Sequence, residues 1–338
     1  MKAWAIERFG LDGLCQRERP SPVAGPGQVV VAVKATSLNF RDLLTVQGHY
    51  NPNQPLPLIP LSDGAGVVSA VGPGVTRVRP GDRVMSVFAS AWRSGLGTRE
   101  EFATSLGGPN DGMLAQHVLL SAEGVVKTPP HLSDEEAATL PCAALTAWSA
   151  LVTLGGVMRG HTVLIEGTGG VSVAALQFAK MLGARAFVTS SSDEKLARAV
   201  ALGAEAGLNY KKEPAWGKKA REWTGGKGFD HVLDVGGAGT LNEALRAVRF
   251  GGTVSVVGML SGRAGDINLI PVMMQNVRLQ GVTVGSRDSF EDMCRAISVS
   301  GTRPVIDRTF SFAEVRQAFE HLASGTHFGK IVVRVAEQ

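Results

Sequence analysis

Residues 161–183, HTVLIEGTGGVSVAALQFAKMLG, carry the most specific chemistry in the chain. Val163, Leu164 and Ile165 form a β-branched apolar run suited to a strand buried on both faces. The run breaks into Gly167-Thr168-Gly169-Gly170. Val171, Ala174, Ala175, Phe178 and Leu182 then recur at helical spacing. Strand, glycine turn and helix are what a phosphate-binding loop requires. Glycines let backbone approach a pyrophosphate, and the helix N-terminus offers free N–H groups and the positive end of its dipole. In G-x-G-x-x-G terms Gly167 and Gly169 fill the first two places and Ser172 stands at the third. A lone glycine motif is weak, and a tight turn with no ligand is its plain alternative. Strands and helices keep alternating for roughly another hundred residues beyond it, which favours the ligand.

Such loops, when they hold a ribose 2′-hydroxyl, carry Asp or Glu about 20 residues further on. Residues 188–192 here read VTSSS, with no carboxylate. A carboxylate repels a 2′-phosphate, whereas the hydroxyls of Ser190 and Ser191 can donate to one. Lys195 and Arg198 follow on the next helix. These residues point to NADPH, with NADH as the alternative. In the plainer reading Ser192 is a helix cap and Lys195 and Arg198 belong to a solvated face that includes Asp193 and Glu194.

The rest of the chain must position this loop. Its 338 residues suffice for two domains, and 44% hydrophobic against 19% charged residues allow a sizeable core. Mean hydropathy is +0.09, yet no apolar run reaches the ~20 residues of a membrane helix. Lys and Arg number 34 against 30 Asp and Glu. That excess is spread out, so neither nucleic acid nor a membrane is expected as a partner. Cys15, Cys142 and Cys294 lie far apart and suggest no disulfide framework. The first residues lack the apolar core of a signal peptide, and the expected location is cytoplasmic.

Residues 1–127 read as mostly β, with strands at 28–36, 64–71 and 83–88, a short helix or turn at 39–46, and a long irregular excursion at 89–111. From 128 the pattern changes. Ser133-Asp134-Glu135-Glu136 is a capping box opening a helix to about Leu154. Strands follow at 163–165, 184–189, 206–209, 229–235, 253–257 and 279–284. Helices stand between them, to about Leu202, Thr224 and Phe250. Six strands with intervening helices make a doubly wound parallel sheet. Residues 285–338 break that alternation, with a helix at 290–299, a second capping box at Ser311 to Glu314, and a final strand at 330–335. That strand is assigned to the N-terminal domain.

SLNFRDLL (37–44), DGAGVVSAVGPGV (63–75), PGDRV (80–84), LPCAALTAWSAL (140–151), the Gly167 loop, FGGTVSVVG (250–258) and HFGKIVV (327–333) together resemble the medium-chain dehydrogenase/reductase superfamily. The likeness is greatest to its zinc-independent, quinone-oxidoreductase-like branch. It implies an α/β protein: a Rossmann domain at 128–284, and a GroES-like, mostly β substrate domain built from both chain ends (1–127 and 285–338), with the active site in the cleft and a homodimer as the assembly. Zinc-dependent members hold their metal with residues at the places of Asn39, Ser62 and Cys142. Only Cys142 matches, whereas catalytic zinc needs three protein ligands plus water, so no zinc is expected.

By the same resemblance Thr146, Val257 and Gly258 face the nicotinamide, Tyr210 lines the adenine ribose pocket, and Phe328 and Lys330 belong to the cofactor site, Lys330 reaching the phosphates. Asn39, Arg41 and Asp42 stand at the reacting centre. Asn39 would donate an amide hydrogen bond to a substrate oxygen, Arg41 would face a developing enolate, and Asp42 would hold either in place. A surface ion pair at a helix start is the plainer reading of the three. Without a metal, hydride transfer needs an electrophilic carbon some 3–3.5 Å from the donor. Quinones and α,β-unsaturated carbonyls, small molecules with electron demand built in, suit this. Alcohols usually need zinc or a tuned base. The rival readings are an alcohol dehydrogenase recruiting zinc through Cys142 and Asp63, and a protein that binds NADPH without turnover.

Overall fold

The computed structural model describes residues 1–336. In chain order, Lys2–Ile6 (β1) and Leu14–Glu18 (β2) form an antiparallel pair. Gln28–Leu38 (β3) runs directly into Phe40–Val46 (α1), because Asn39 turns the chain and the Asp42 carboxylate accepts the Asn39 N–H at 2.8 Å. Asp63–Val71 (β4), Arg83–Ser86 (β5), His117–Ser121 (β6) and Val125–Lys127 (β7) follow, with a single helical turn, Arg99–Phe102 (α2), inside the 89–111 excursion.

The segment after Ser133 is not one regular helix. Asp134–Ala137 (α3) is capped by the Ser133 hydroxyl as its capping box predicts. Leu140–Ala144 then widens into a π-helical turn, because Pro141 supplies no N–H to the preceding turn. Leu145–Trp148 (α4) is regular, and Ser149–Thr153 widens again.

The middle of the chain holds Thr162–Glu166 (β8), Gly170–Met181 (α5), Arg185–Ser190 (β9), Asp193–Leu202 (α6), Ala206–Asn209 (β10), Trp216–Arg221 (α7), Phe229–Asp234 (β11), Leu241–Ala247 (α8), Val248–Val256 (β12), Ile270–Met274 (α9) and Arg278–Gly281 (β13). These strands form one all-parallel sheet in the order β10-β9-β8-β11-β12-β13. That is the doubly wound order expected of six such strands. Leu164, Phe187, Phe229, Val232, Leu245 and Val254 are among its core residues.

The chain ends with Arg287–Ser300 (α10), Ile306–Ser311 (β14), Val315–Ser324 (α11) and Lys330–Arg334 (β15). The terminal strand pairs antiparallel with β3 and parallel with β14, giving the order β14-β15-β3-β4-β5-β7, with β6 also on β3. Two compact units result, residues 1–145 with 284 onward, and residues 146–283. The sequence expectation put the first junction at 127/128. The intervening stretch packs with the first unit instead, α3 and the Leu140 turn lying on β3 and β4.

Strand register in the first unit gathers three chain segments. Ser37 lies opposite Asp63 across β3 and β4, and Leu38 lies opposite Ile331 across β3 and β15. The end of β3, the start of β4 and the start of β15 therefore converge, bringing together residues nearly 300 positions apart in sequence.

Candidate functional site

In the second unit the glycine loop has the geometry its sequence predicts. Gly167 has φ +74°, a conformation that disfavours side chains, and its N–H donates to the Thr189 carbonyl at 2.8 Å. A Cβ at Gly167 would stand 3.5 Å from Val235 Cγ2 and 3.6 Å from Ser172 Oγ. Gly169 is the N-cap of α5, which starts at Gly170 and runs 12 residues; Thr168 is buried and Val171 half-buried. The deviant third place has a local explanation. Ser172 is buried, and its hydroxyl donates 2.6 Å to the Glu166 carbonyl, tying the helix start to the strand end. N–H groups at a helix N-terminus that no N-cap side chain takes up suit a pyrophosphate.

Beneath the loop lies a group the sequence reading missed. Glu166 is buried at the end of β8, and burial, reinforced by the Asp234 charge, pushes its carboxyl well above the ordinary range. Burial also lifts Asp234 to about 6. Asp234 accepts from the Gly237 N–H (2.6 Å) and the Thr240 hydroxyl (3.2 Å). A carboxylate at a strand end just before the glycines was the available signal.

At the ribose end, Ser190 is buried at the end of β9 and its oxygen accepts from the Ser192 N–H. Ser191 and Lys195 are half-buried, and Tyr210 is partly exposed just after β10. Asp193, three residues beyond Ser190, accepts from Asn209 Nδ2 (2.7 Å) and pairs with the Lys212 ammonium. Thr146 is buried on α4. The Val257 N–H bonds the Asp234 carbonyl, and a Cβ on Gly258 would meet the Val235 carbonyl at 2.3 Å, so close strand packing already demands that glycine.

The first unit holds a closed polar cluster. Lys330 is 5% exposed, and its ammonium donates to the Leu38 carbonyl (2.6 Å), Asn39 Oδ1 (2.6 Å) and Asp63 Oδ2 (3.4 Å). The expected reach of Lys330 to cofactor phosphates is therefore corrected. As the first residue of β15 it points into the junction with β3 and β4, where Asp63 neutralises it. Phe328 is likewise buried, with its N–H on the Asp307 carboxylate at 3.0 Å. Asp63 also accepts from the hydroxyls of Ser37 and Ser62, both at 2.9 Å. Burial, with the Asp63 charge second, pushes the adjoining Cys142 thiol far up, so it stays protonated.

Asn39, Arg41 and Asp42 do come together. Asp42 is fully buried and is lifted to about 6 by burial, against the pull of Arg41. It accepts from the Asn39 N–H and, at 3.2 Å, from Arg41. Arg41 differs from its expected part. Its guanidinium donates to the carbonyls of Leu106 (3.1 Å) and Gly108 (3.0 Å) and stands 4.9 and 5.0 Å from the rings of Tyr50 and Phe88. It pins the 89–111 excursion to α1, because α1 directs residue 41 toward those carbonyls, leaving Asn39 as the cluster's donor. Asn39 is 9% exposed, and its Nδ2 has no hydrogen-bond partner among the described residues.

Comparison with known proteins agrees with this geometry. Residues 25–130 match a family model described as alcohol dehydrogenase GroES-like domain, and residues 170–299 match one described as zinc-binding dehydrogenase. A zinc-type alcohol dehydrogenase-like protein of Schizosaccharomyces pombe is 41% identical, over 97% of each chain. The crystal structure of an NAD-dependent alcohol dehydrogenase superposes with TM-score 0.91 at 34% identity, covering 99% of this chain and all of that one. An acryloyl-coenzyme A reductase of Metallosphaera sedula is 28% identical over 94% of this chain and 95% of its own.

Proposed function

Since this chain belongs to the medium-chain dehydrogenase/reductase superfamily and is an NAD(P)-dependent oxidoreductase, we propose that it is an NADPH-dependent reductase of quinones or α,β-unsaturated carbonyls that works without a catalytic metal. The observation that carries this reading is the ammonium among the would-be ligands. Zinc in such a site takes three protein donors with lone pairs free. Here the Asn39 oxygen and one Asp63 oxygen accept from Lys330, and Ser62 donates its hydroxyl to Asp63. A divalent cation would meet a positive charge, with Cys142 the one ordinary zinc donor of the three. This donor set does not fit zinc, and no step is assigned to one.

NADPH, held at its pyrophosphate by the Gly167 loop, would supply a hydride to the electron-poor carbon of the acceptor. Negative charge then gathers on the acceptor's carbonyl oxygen, where the Asn39 amide donates a hydrogen bond. A proton completes the reduction, so that one hydride and one proton are taken up per turnover. Asp42 fixes the backbone at Asn39, and Arg41 fixes Asp42. The preference for NADPH is supported by the hydroxyls of Ser190 and Ser191, with no carboxylate in residues 188–192, and by the pairing of Asp193 with the Lys212 ammonium. A homodimer is part of the same reading: α9 exposes Ile270, Met273 and Met274 beside the edge strand β13, an apolar patch suited to a second copy. The name of the acryloyl-coenzyme A reductase supports an activated alkene as acceptor.

The test is oxidation of NADPH and of NADH against a panel of quinones and enones. Turnover with an acceptor, faster with NADPH, is expected. Tight NADPH binding with no acceptor reduced would overturn the reading. The names of the alcohol dehydrogenase relatives favour a second reading, oxidation of an alcohol; NAD(P)⁺ reduction by alcohols, only with added zinc, would establish it instead.

A further inference from the structure

Lys330 has an acting part that its burial conceals. An amide side chain can sit either way round, but an ammonium has three donors and no acceptor. Facing Lys330 Nζ at 2.6 Å, the Asn39 side chain must present its oxygen. Its Nδ2 is then forced to the opposite side, and that is the atom left without a partner on a residue 9% exposed. A buried N–H₂ with no acceptor is costly unless a ligand supplies one. The backbone of Asn39 cannot swing to relieve it, because the residue's N–H is fastened to Asp42 at 2.8 Å and Asp42 to Arg41. The amide is thus locked at both ends with its donor unsatisfied.

We infer that Lys330 is a positioning residue for the reduction: its buried ammonium fixes the orientation of the Asn39 amide and polarises it, so that Nδ2 meets the acceptor's carbonyl oxygen. A positive charge on the amide oxygen draws electron density from the N–H bonds and makes them better donors. The effect grows as the acceptor oxygen becomes anionic, so it favours the transition state over the ground state. Asp63 balances the charge and is in turn held by Ser37 and Ser62. The ammonium therefore serves as a fixed internal cation, acting on the substrate through one amide. This inference rests on the reading that the protein reduces a carbonyl-conjugated acceptor.

The experiment is a double-mutant cycle on the full-length protein with an enone and NADPH. Asn39→Leu removes the donor at constant shape, and its kcat is expected to fall by about 100-fold. Lys330→Met is made together with Asp63→Asn, so that no unpaired carboxylate is left to unfold the protein. This pair is expected to lower kcat by about tenfold with KM and the NADPH dissociation constant within about twofold of wild type. In the Asn39→Leu background the same pair should change kcat by less than about twofold, because the amide it acts through is gone. Thermal melts and NADPH titrations of every variant show whether the fold and the cofactor site persist.

A tenfold loss that recurs undiminished without Asn39, or an altered NADPH dissociation constant in place of an altered kcat, overturns the inference. So does full turnover in the charge-balanced variant. If wild type itself reduces no acceptor, the functional reading has failed before the variants are reached. If wild type turns over and Asn39→Leu is impaired while the Lys330 pair is not, the inference alone has failed.

Discussion

The glycine loop, proposed here to hold a pyrophosphate, and the Lys330 cluster, which holds a buried ammonium, are built in opposite ways. The loop uses backbone. Its N–H groups are presented by a turn and a helix start, Gly169 makes no side-chain cap there, and its glycine at φ +74° is needed for shape. The cluster uses side chains from β3, β4 and β15, and nearly every polar atom in it is already satisfied internally. A backbone site is written in one contiguous stretch and tolerates exchange of its neighbours, as Ser172 at the third glycine place shows. A side-chain site exists only after the sheet has closed, and each member is fixed by the others.

The comparison can be broken most forcefully at the cluster. Lys330→Met alone leaves the Asp63 carboxylate buried without its cation, and an orphaned buried charge typically costs about 3–5 kcal/mol. A large drop in the denaturation midpoint is expected, mostly restored when Asp63→Asn is added. An unchanged midpoint would mean that the pair does not form.

Next in size is Gly167→Val. A β-branched residue at that φ costs about 1–3 kcal/mol in strain. It also adds side chain where the pyrophosphate would approach, so NADPH affinity measured by fluorescence titration should fall at least about tenfold. Equal affinity in the variant would show that the loop is only a turn. Smaller again is Ser191→Asp, which places a carboxylate at the ribose end. It should weaken NADPH by about tenfold, roughly 1.4 kcal/mol, and leave NADH nearly untouched. Equal weakening of both would place the 2′-phosphate elsewhere.

The mildest test is pH. The Asp42 carboxyl keeps its proton up to about 6 in the folded protein because burial disfavours its charge, whereas an unfolded aspartate releases it near 3.9. Below both values the group favours neither state. As pH rises between them the unfolded chain alone loses the proton, so this contribution to stability declines until about pH 6 and then levels off. Urea midpoints should show that decline, and Asp42→Asn should make it shallower, the part that remains coming from the buried Asp234 and Glu166 carboxyls.

The same contrast explains what could be read from sequence. The parallel sheet, the Gly167 turn, the Ser192 cap and the capping boxes at Ser133 and Ser311 were legible because each depends on neighbours within a few residues. Among the elements that escaped for lack of such a signal are β14, whose IDRTFS has little alternation, the short strands β2, β6 and β7, and the wide turn at Pro141. Asn39, Arg41 and Asp42 were found as a group, but their division of labour was not. Whether Arg41 faces a substrate or the carbonyls of Leu106 and Gly108 depends on a loop some 65 residues away. Lys330 was misdirected for the same reason. A lysine heading a strand normally snorkels to water, and only the pairing of β15 with β3 shows that it cannot.

The central claim is that a lysine ammonium, acting through one amide, stands where relatives' names imply a metal. Enone reduction by NADPH, measured before and after exhaustive chelation with zinc assayed in the same samples, tests it most directly. The account predicts the same kcat in both, with far less than one zinc per chain; activity that disappears with chelation and returns in proportion to added zinc would contradict it.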